Sequence, residues 1–180
     1  RITYVGELGW ELYIPTEFCL GVYEALVSAA EEFGLKHAGY HALNSLRIEK
    51  AYRHWGHDIC DEDTPIESGL EFVVKYDKPG GFIGRDALLN KRDQRLTRRL
   101  VQFQLQDPEP LLYHNEPIWR DGTLVGYIAS GMYGHTLGAA IGLGYINDSN
   151  EVTDEYVAAG SYEIEIAGAR IPAIASTTPL

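Results

Sequence analysis

Trp10, Leu12 and Ile14 alternate with Glu11 and Tyr13, the period of a half-buried strand. Preceded by Ile2, Tyr4 and the turn Gly6-Glu7-Leu8-Gly9, this predicts a hairpin. Pro15 ends it and Thr16 can cap a helix, in which Phe18, Val22, Leu26, Ala29 and Ala30 recur at three- and four-residue steps until Gly34 supplies a C-cap. A second helix is expected from about Ala42 to Tyr52, with Leu43, Leu46 and Lys50 on one face and Asn44, Arg47 and Ala51 on another; Gly56 closes it or its following turn. Thr64-Pro65 opens a further segment as a helix start would, and Leu70, Phe72 and Val74 end it as a strand would.

The basic run Lys91, Arg92, Arg95, Arg98 and Arg99 reads as a linker or solvated helix and suggests a boundary, with one domain over 1–93 and a second over 94–180. Beyond it the period is that of strands. Val101, Phe103 and Leu105 alternate, Ile118-Trp119 and Leu124 to Ile128 flank Asp121-Gly122, and Ile164, Ile166 and Ile171 flank Ala167-Gly168. Short strands with glycine turns indicate an antiparallel barrel or sandwich, with no helix of three turns between Val101 and Ile146. The fold class expected is α+β followed by an all-β region.

Composition narrows the function classes. A chain of 180 residues with 45% hydrophobic and 23% charged positions is globular, and charges, glycines or prolines interrupt every apolar run before the length of a membrane helix. A net charge of −11 argues against a nucleic-acid partner. Cys19 and Cys60 are too few for a tetrathiolate metal site and do not form a disulfide framework, which fits a reducing compartment. Met132 is the only methionine and Arg1 the first residue, so this N-terminus is expected not to be a translation start.

Most familiar motifs fail on chemistry. Gly142-Leu143-Gly144 lacks the third glycine of a dinucleotide fingerprint, position 147 being Asn147, and reads instead as a tight barrel strand. The loop from Gly80 to Arg85 lacks the Lys-Ser/Thr of a phosphate loop, and Ser130 has Ile128 where a nucleophile elbow needs glycine. His54, His57 and Asp58 surround Gly56 with no third fixed nitrogen or thiolate, and His37 and His41 straddle Gly39, so no metal ligand is expected. Glu11 stands apart. On pattern alone it lies on a polar strand face; the chemical alternative is a carboxylate accepting parallel hydrogen bonds from a heterocycle with adjacent N–H and amino donors, such as a pterin.

The string YVGELGWE, residues 4–11, resembles the folate-binding segment of the aminomethyltransferase (glycine cleavage T-protein) family. NSLRIEKAYRHWGHDI (44–59), TPIESGLEFVV (64–74), GFIGRDAL (81–88) and VGYIASGMYGHTLGAAIGLGYI (125–146) resemble further landmarks of the family in the same order. SLRIEKAYRHWG (45–56) is most similar to the C-terminal folate-binding region of dimethylglycine and sarcosine dehydrogenases and oxidases. The resemblance implies part of a ferredoxin-like folate-binding region followed by a C-terminal antiparallel β-barrel. It implies tetrahydrofolate as cofactor, with Glu11 on the pterin edge, Tyr4 lining the pocket and Glu7 shaping its wall. An arginine that contacts folate in the family is replaced by Leu43. Further implications are an upstream flavin (FAD) domain of the same polypeptide that oxidises an N-methyl amine, 5,10-methylenetetrahydrofolate as product, and a place in the bacterial cytoplasm or mitochondrial matrix. The family's catalytic aspartate belongs to a part not present here, so no catalytic residue is assigned and the isolated chain is expected to be inactive. The alternative is a non-catalytic folate-binding or docking module of the same fold.

Overall fold

A computed structural model describes residues 3–180; Ile2, the first apolar position of the expected hairpin, lies outside them. Six strands make the C-terminal half: β1 (Arg98–Leu105), β2 (Pro117–Arg120), β3 (Thr123–Gly134), β4 (Ala139–Asn147), β5 (Tyr162–Ile166) and β6 (Ala169–Ser176). They pair antiparallel in the order β1-β4-β3-β2-β5-β6, and β6 returns to β1, closing a barrel with no free edge. The helices are α1 (Thr16–Ala30), α2 (Tyr40–Glu49), α3 (Arg85–Arg92) and α4 (Asp154–Ala159).

Alternation along the strands builds two cores. Val101, Phe103, Leu105, Ile118, Ile128, Ile146 and Ile164 fill the barrel. Leu100, Ile141 and Leu143 point outward, but α2 lies over them and contributes Ile48, joined by Ala51 just past its end, so this outer face is buried as well. That explains why residues 139–144 read as an unbroken apolar run: β4 is covered on both sides, by the barrel interior and by α2. Burial of each such side chain contributes roughly 1.5–3 kcal/mol. Gln102 ties the layers together, its amide donating to the Ile48 carbonyl at 2.7 Å.

Gly144 is required by closure of the barrel, as the reading of a tight strand anticipates. A Cβ there would meet Ile118 Cδ1 and the Tyr127 carbonyl oxygen, each at 2.7 Å. The turns Asp121-Gly122 and Ala167-Gly168 have positive φ at both positions (50° and 81°, 49° and 83°), matching the right-handed twist of the flanking strands.

Several expectations fail. Residues 10–14 form no strand, and among the described residues no strand precedes β1. Alternation alone cannot hold extended backbone whose N–H and C=O groups have no ladder partner. Thr16 is the first residue of α1 rather than its cap, while Gly34, at φ 71°, ends the helical stretch as expected. The segment ending in Leu70, Phe72 and Val74 is not strand-like: it runs through turns into a 3-10 turn at Glu71–Val73. Here Gly69 reverses the chain at φ 67° and the Leu70 N–H bonds the Pro65 carbonyl at 2.7 Å, so backbone groups are satisfied locally.

α2 stops at Glu49, earlier than the pattern suggests, because Ala51 adopts φ 51° and the Tyr52 and Ala51 N–H groups bond back to the Arg47 and Ile48 carbonyls. Its buried face carries Arg47 and Ile48, Ala51 is buried just beyond its end, and Lys50, grouped above with Leu43 and Leu46, is exposed. The basic run is not a free linker either. α3 occupies its start, Lys91 reaches Glu67 at 3.1 Å, Arg98 pairs with Asp63, and Arg99 pairs with Asp154 at 2.7 Å.

Candidate functional site

Where α2 ends, the chain forms a strap over residues 51–58 that crosses between the helix and barrel strand β3. Its anchor is a buried ion pair. Arg47 and Asp58 are each 1% exposed, and the Arg47 Nη1 bonds the Asp58 carboxylate. The same Nη1 donates to the Tyr52 carbonyl at 3.0 Å, Nη2 donates to Ser130 Oγ on β3 at 3.0 Å, and Nε reaches Asn44 Oδ1 at 3.3 Å. Asp58 in turn accepts the Ser130 hydroxyl and the His54 backbone N–H, the latter at 2.8 Å. A charged pair removed from water persists only when its remaining donors and acceptors are matched, and three elements of the chain supply the match.

Beside this network lies a cleft of about 480 Å³ whose lining includes Tyr40, His41, Asn44, His54, His57, Tyr113, His114 and Ser130. The His54 and His57 rings are 4.5 Å apart. Burial, helped by the fields of His57 and Arg47, holds the His54 imidazole below its ordinary pKa, so it is neutral near pH 7. The cleft therefore offers phenols, neutral imidazole and an amide: hydrogen-bond donors, acceptors and aromatic faces suited to a polar planar ligand. Among the described residues no group of three or more histidines, cysteines and carboxylates is placed to hold a metal ion.

Of the residues that the resemblance assigns to folate, Tyr4 comes to this strap, but neither it nor Glu7 nor Glu11 lines the cleft. Its ring stacks on Tyr52 with centroids 6.4 Å apart and planes at 19°, and its hydroxyl donates to the Arg53 carbonyl at 3.2 Å. Burial raises the Tyr4 phenol pKa, opposed by the Arg47 guanidinium and reinforced by Asp58 and Tyr40. Glu11 is exposed and accepts the Tyr13 hydroxyl at 2.7 Å; Glu7 is also exposed. The sequence reading did not anticipate the Arg47–Asp58–Ser130 network. Its one available signal was an arginine sharing a helix face with Ala51, and the partners 11 and 83 positions away have no local pattern.

A second carboxylate, Glu49, is buried at the end of α2. It accepts the backbone N–H groups of Thr136 at 2.6 Å and Leu137 at 3.2 Å, pinning the β3–β4 turn to the helix. Helix, strap and barrel are thereby joined by ionic and hydrogen-bonded contacts as well as by packing.

Residues 1–78 match the family model described as the GCVT N-terminal domain, and residues 98–180 match that of the glycine cleavage T-protein C-terminal barrel domain. Over 99% of its length the chain is 43% identical to a 4-methylaminobutanoate oxidase (formaldehyde-forming) of Paenarthrobacter nicotinovorans, covering 21% of that protein. Over 93% of its length it is 43% identical to mitochondrial sarcosine dehydrogenase of Homo sapiens, covering 18% of it. The chain thus spans about a fifth of the length of these curated relatives. In fold it is similar to the aminomethyltransferase T of the Bartonella henselae glycine cleavage system, with a TM-score of 0.74 and 22% identity, over 89% of this chain and 44% of that one.

Proposed function

Because this chain belongs to the aminomethyltransferase (glycine cleavage T-protein) family, we propose that it is the folate-binding part of a one-carbon transfer enzyme. In this reading an upstream flavin domain of the same polypeptide, carrying FAD, oxidises an N-methyl amine, and tetrahydrofolate collects the carbon as 5,10-methylenetetrahydrofolate. The observation that carries it is the match of both family domains, in order, in a chain 43% identical to two relatives named for the oxidation of N-methyl amines, one of them formaldehyde-forming. Formaldehyde is the carbon such a folate site would retain. The mitochondrial relative and the negative charge support a mitochondrial matrix or bacterial cytoplasmic setting without nucleic acid. No helix of the described residues is long and apolar enough to cross a membrane. We further propose that the folate-binding domain extends to about residue 93 and the barrel domain from about 94.

The residues present fit a reduced pterin in their chemistry. Tyr4, half-buried on Tyr52, offers an aromatic wall, and Glu11 is an exposed carboxylate held by a phenol rather than by a cation. In this assignment Tyr4 lines the pocket, Glu11 accepts from the N–H and amino edge of the pterin, and Glu7 shapes the wall. Once bound, the folate supplies the nucleophilic nitrogens that accept the carbon; this chain's residues bind and orient it. The Glu11→Gln substitution keeps size, removes charge and turns an acceptor into a donor facing a donor. In the full-length protein it should weaken tetrahydrofolate binding by about 2–4 kcal/mol, some 30- to 1,000-fold, in a calorimetric or fluorescence titration. Wild-type affinity in that variant would remove Glu11 from the site.

A further inference from the structure

We propose that Ser130, on barrel strand β3, is a positioning residue for the Tyr4 wall of the folate site; the inference rests on the folate reading above. Tyr4 is held at two points of the strap, by its stack on Tyr52 and by its hydrogen bond to the Arg53 carbonyl. The peptide that receives the Tyr4 hydroxyl donates its own N–H, that of His54, to Asp58 at 2.8 Å, and the peptide before it offers the Tyr52 carbonyl to Arg47 at 3.0 Å. The peptide that receives the Tyr4 hydroxyl is thus suspended between the two charged partners.

Ser130 closes that arrangement from the barrel side. Its oxygen accepts from Arg47 Nη2 at 3.0 Å while its hydrogen goes to the second oxygen of Asp58. Only a side chain that donates and accepts at one atom can do both; a hydroxyl does, and a methyl group cannot. Without it, an N–H of Arg47 and an oxygen of Asp58 lose their partner in a place where both residues are 1% exposed. Guanidinium and carboxylate then reorient, and the strap moves with them. Ser130 also lines the 480 Å³ cleft, so water can enter and satisfy the released groups. The expected consequence is a misplaced Tyr4 in a protein that still folds.

The test is titration of the full-length protein with tetrahydrofolate in the wild type, Ser130→Ala, Ser130→Thr, Tyr4→Phe and the double variant Tyr4→Phe/Ser130→Ala, with the melting temperature of each as a folding control. Ser130→Ala should weaken binding about five- to twentyfold, and Ser130→Thr, which retains the hydroxyl, should stay within about twofold of wild type. The double variant should bind no more weakly than the weaker single variant, because once the strap has moved the Tyr4 hydroxyl has lost its role. Wild-type affinity in Ser130→Ala, equal losses in the Ala and Thr variants, or additive losses in the double variant would each overturn the positioning role. If Ser130→Ala does not fold, Ser130→Cys replaces it; its thiol donates and accepts more weakly than the hydroxyl, so a loss of about two- to fivefold is expected, and wild-type affinity in it would overturn the positioning role. Absence of tetrahydrofolate binding by the wild type would overturn the folate reading itself. Weak binding by Glu11→Gln beside wild-type binding by Ser130→Ala would leave that reading standing and remove only the present inference.

Discussion

Phe103 in the barrel is wholly buried, whereas Phe18, on the apolar stripe of α1, is 61% exposed. The two regions they represent, residues 98–176 and residues 3–39, carry equally regular apolar patterns with opposite outcomes. In the barrel every strand has two neighbours, and α2 covers part of the outside, so side chains on both faces of β1 and β4 are buried. In the other region α1 buries none of its residues, and Trp10, Leu12, Tyr13, Leu20 and Phe33 stand in the open with it. A hydrophobic pattern states which side of an element needs a partner; whether a partner is there is a separate matter.

The contrast can be tested from its strongest side down. Phe103→Ala should destabilise the barrel by about 4 kcal/mol in denaturant unfolding, the cost of a large cavity in a closed core. A loss below about 1 kcal/mol would mean that the barrel is not the stable part of this chain. Asp58→Asn should cost about 3 kcal/mol, because it leaves the buried Arg47 charge without its counter-ion; a neutral outcome would show that the strap is not held by that pair.

Lowering the pH should weaken the pairs that Asp63 and Glu67 make with Arg98 and Lys91. Burial by itself would raise the Asp63 carboxyl pKa, but hydrogen bonds from Arg98 and from the Cys60 N–H outweigh it and hold it below the usual carboxylate range. Glu67 is likewise raised by burial and lowered further by Thr64 and Lys91. A carboxylate with a depressed folded-state pKa stabilises fully above its unfolded value, near 4, and the contribution disappears as the pH falls through the folded value. The melting temperature should therefore drop from about pH 4 downward, and Asp63→Asn should flatten that drop while lowering the plateau. An unchanged acid limb in Asp63→Asn would discount the Arg98 pair as a source of stability. At the small end, Phe18→Ala should alter the unfolding free energy of this 180-residue chain by less than about 0.5 kcal/mol. A loss comparable to that of Phe103→Ala would show that α1 is packed in solution and erase the contrast.

The candidate site divides along the same line. Tyr4 and Glu11 were legible as candidates because a short segment carries both, yet Glu11 was assigned an orientation from strand alternation that the segment does not adopt. With no ladder, its side-chain direction comes from local contacts such as the Tyr13 hydroxyl. Arg47 carries no such local signal, and Asp58 and Ser130, weighed above as metal ligand and nucleophile, carry none for the network they form. Each is unremarkable in its own neighbourhood, and they acquire a role only when α2, the strap and β3 converge.

By itself the sequence determined what depends on neighbours along the chain: the helical period of 16–30, the glycine stop at Gly34, the two left-handed hairpin turns, the alternation of β1 and the small residues at Gly142 and Gly144. These follow from backbone sterics and from the periods of 3.6 and 2, which act within a few residues. Tertiary structure alone decided that alternation becomes a barrel at 98–176 and an exposed coil at 10–14, that an arginine is buried on the inner face of α2, and that a serine 72 residues after Asp58 completes its coordination. The physical reason is that ladder hydrogen bonds, burial of both faces and the solvation of a buried charge are all supplied by residues far away in sequence, and a local pattern can state the demand without containing the supply.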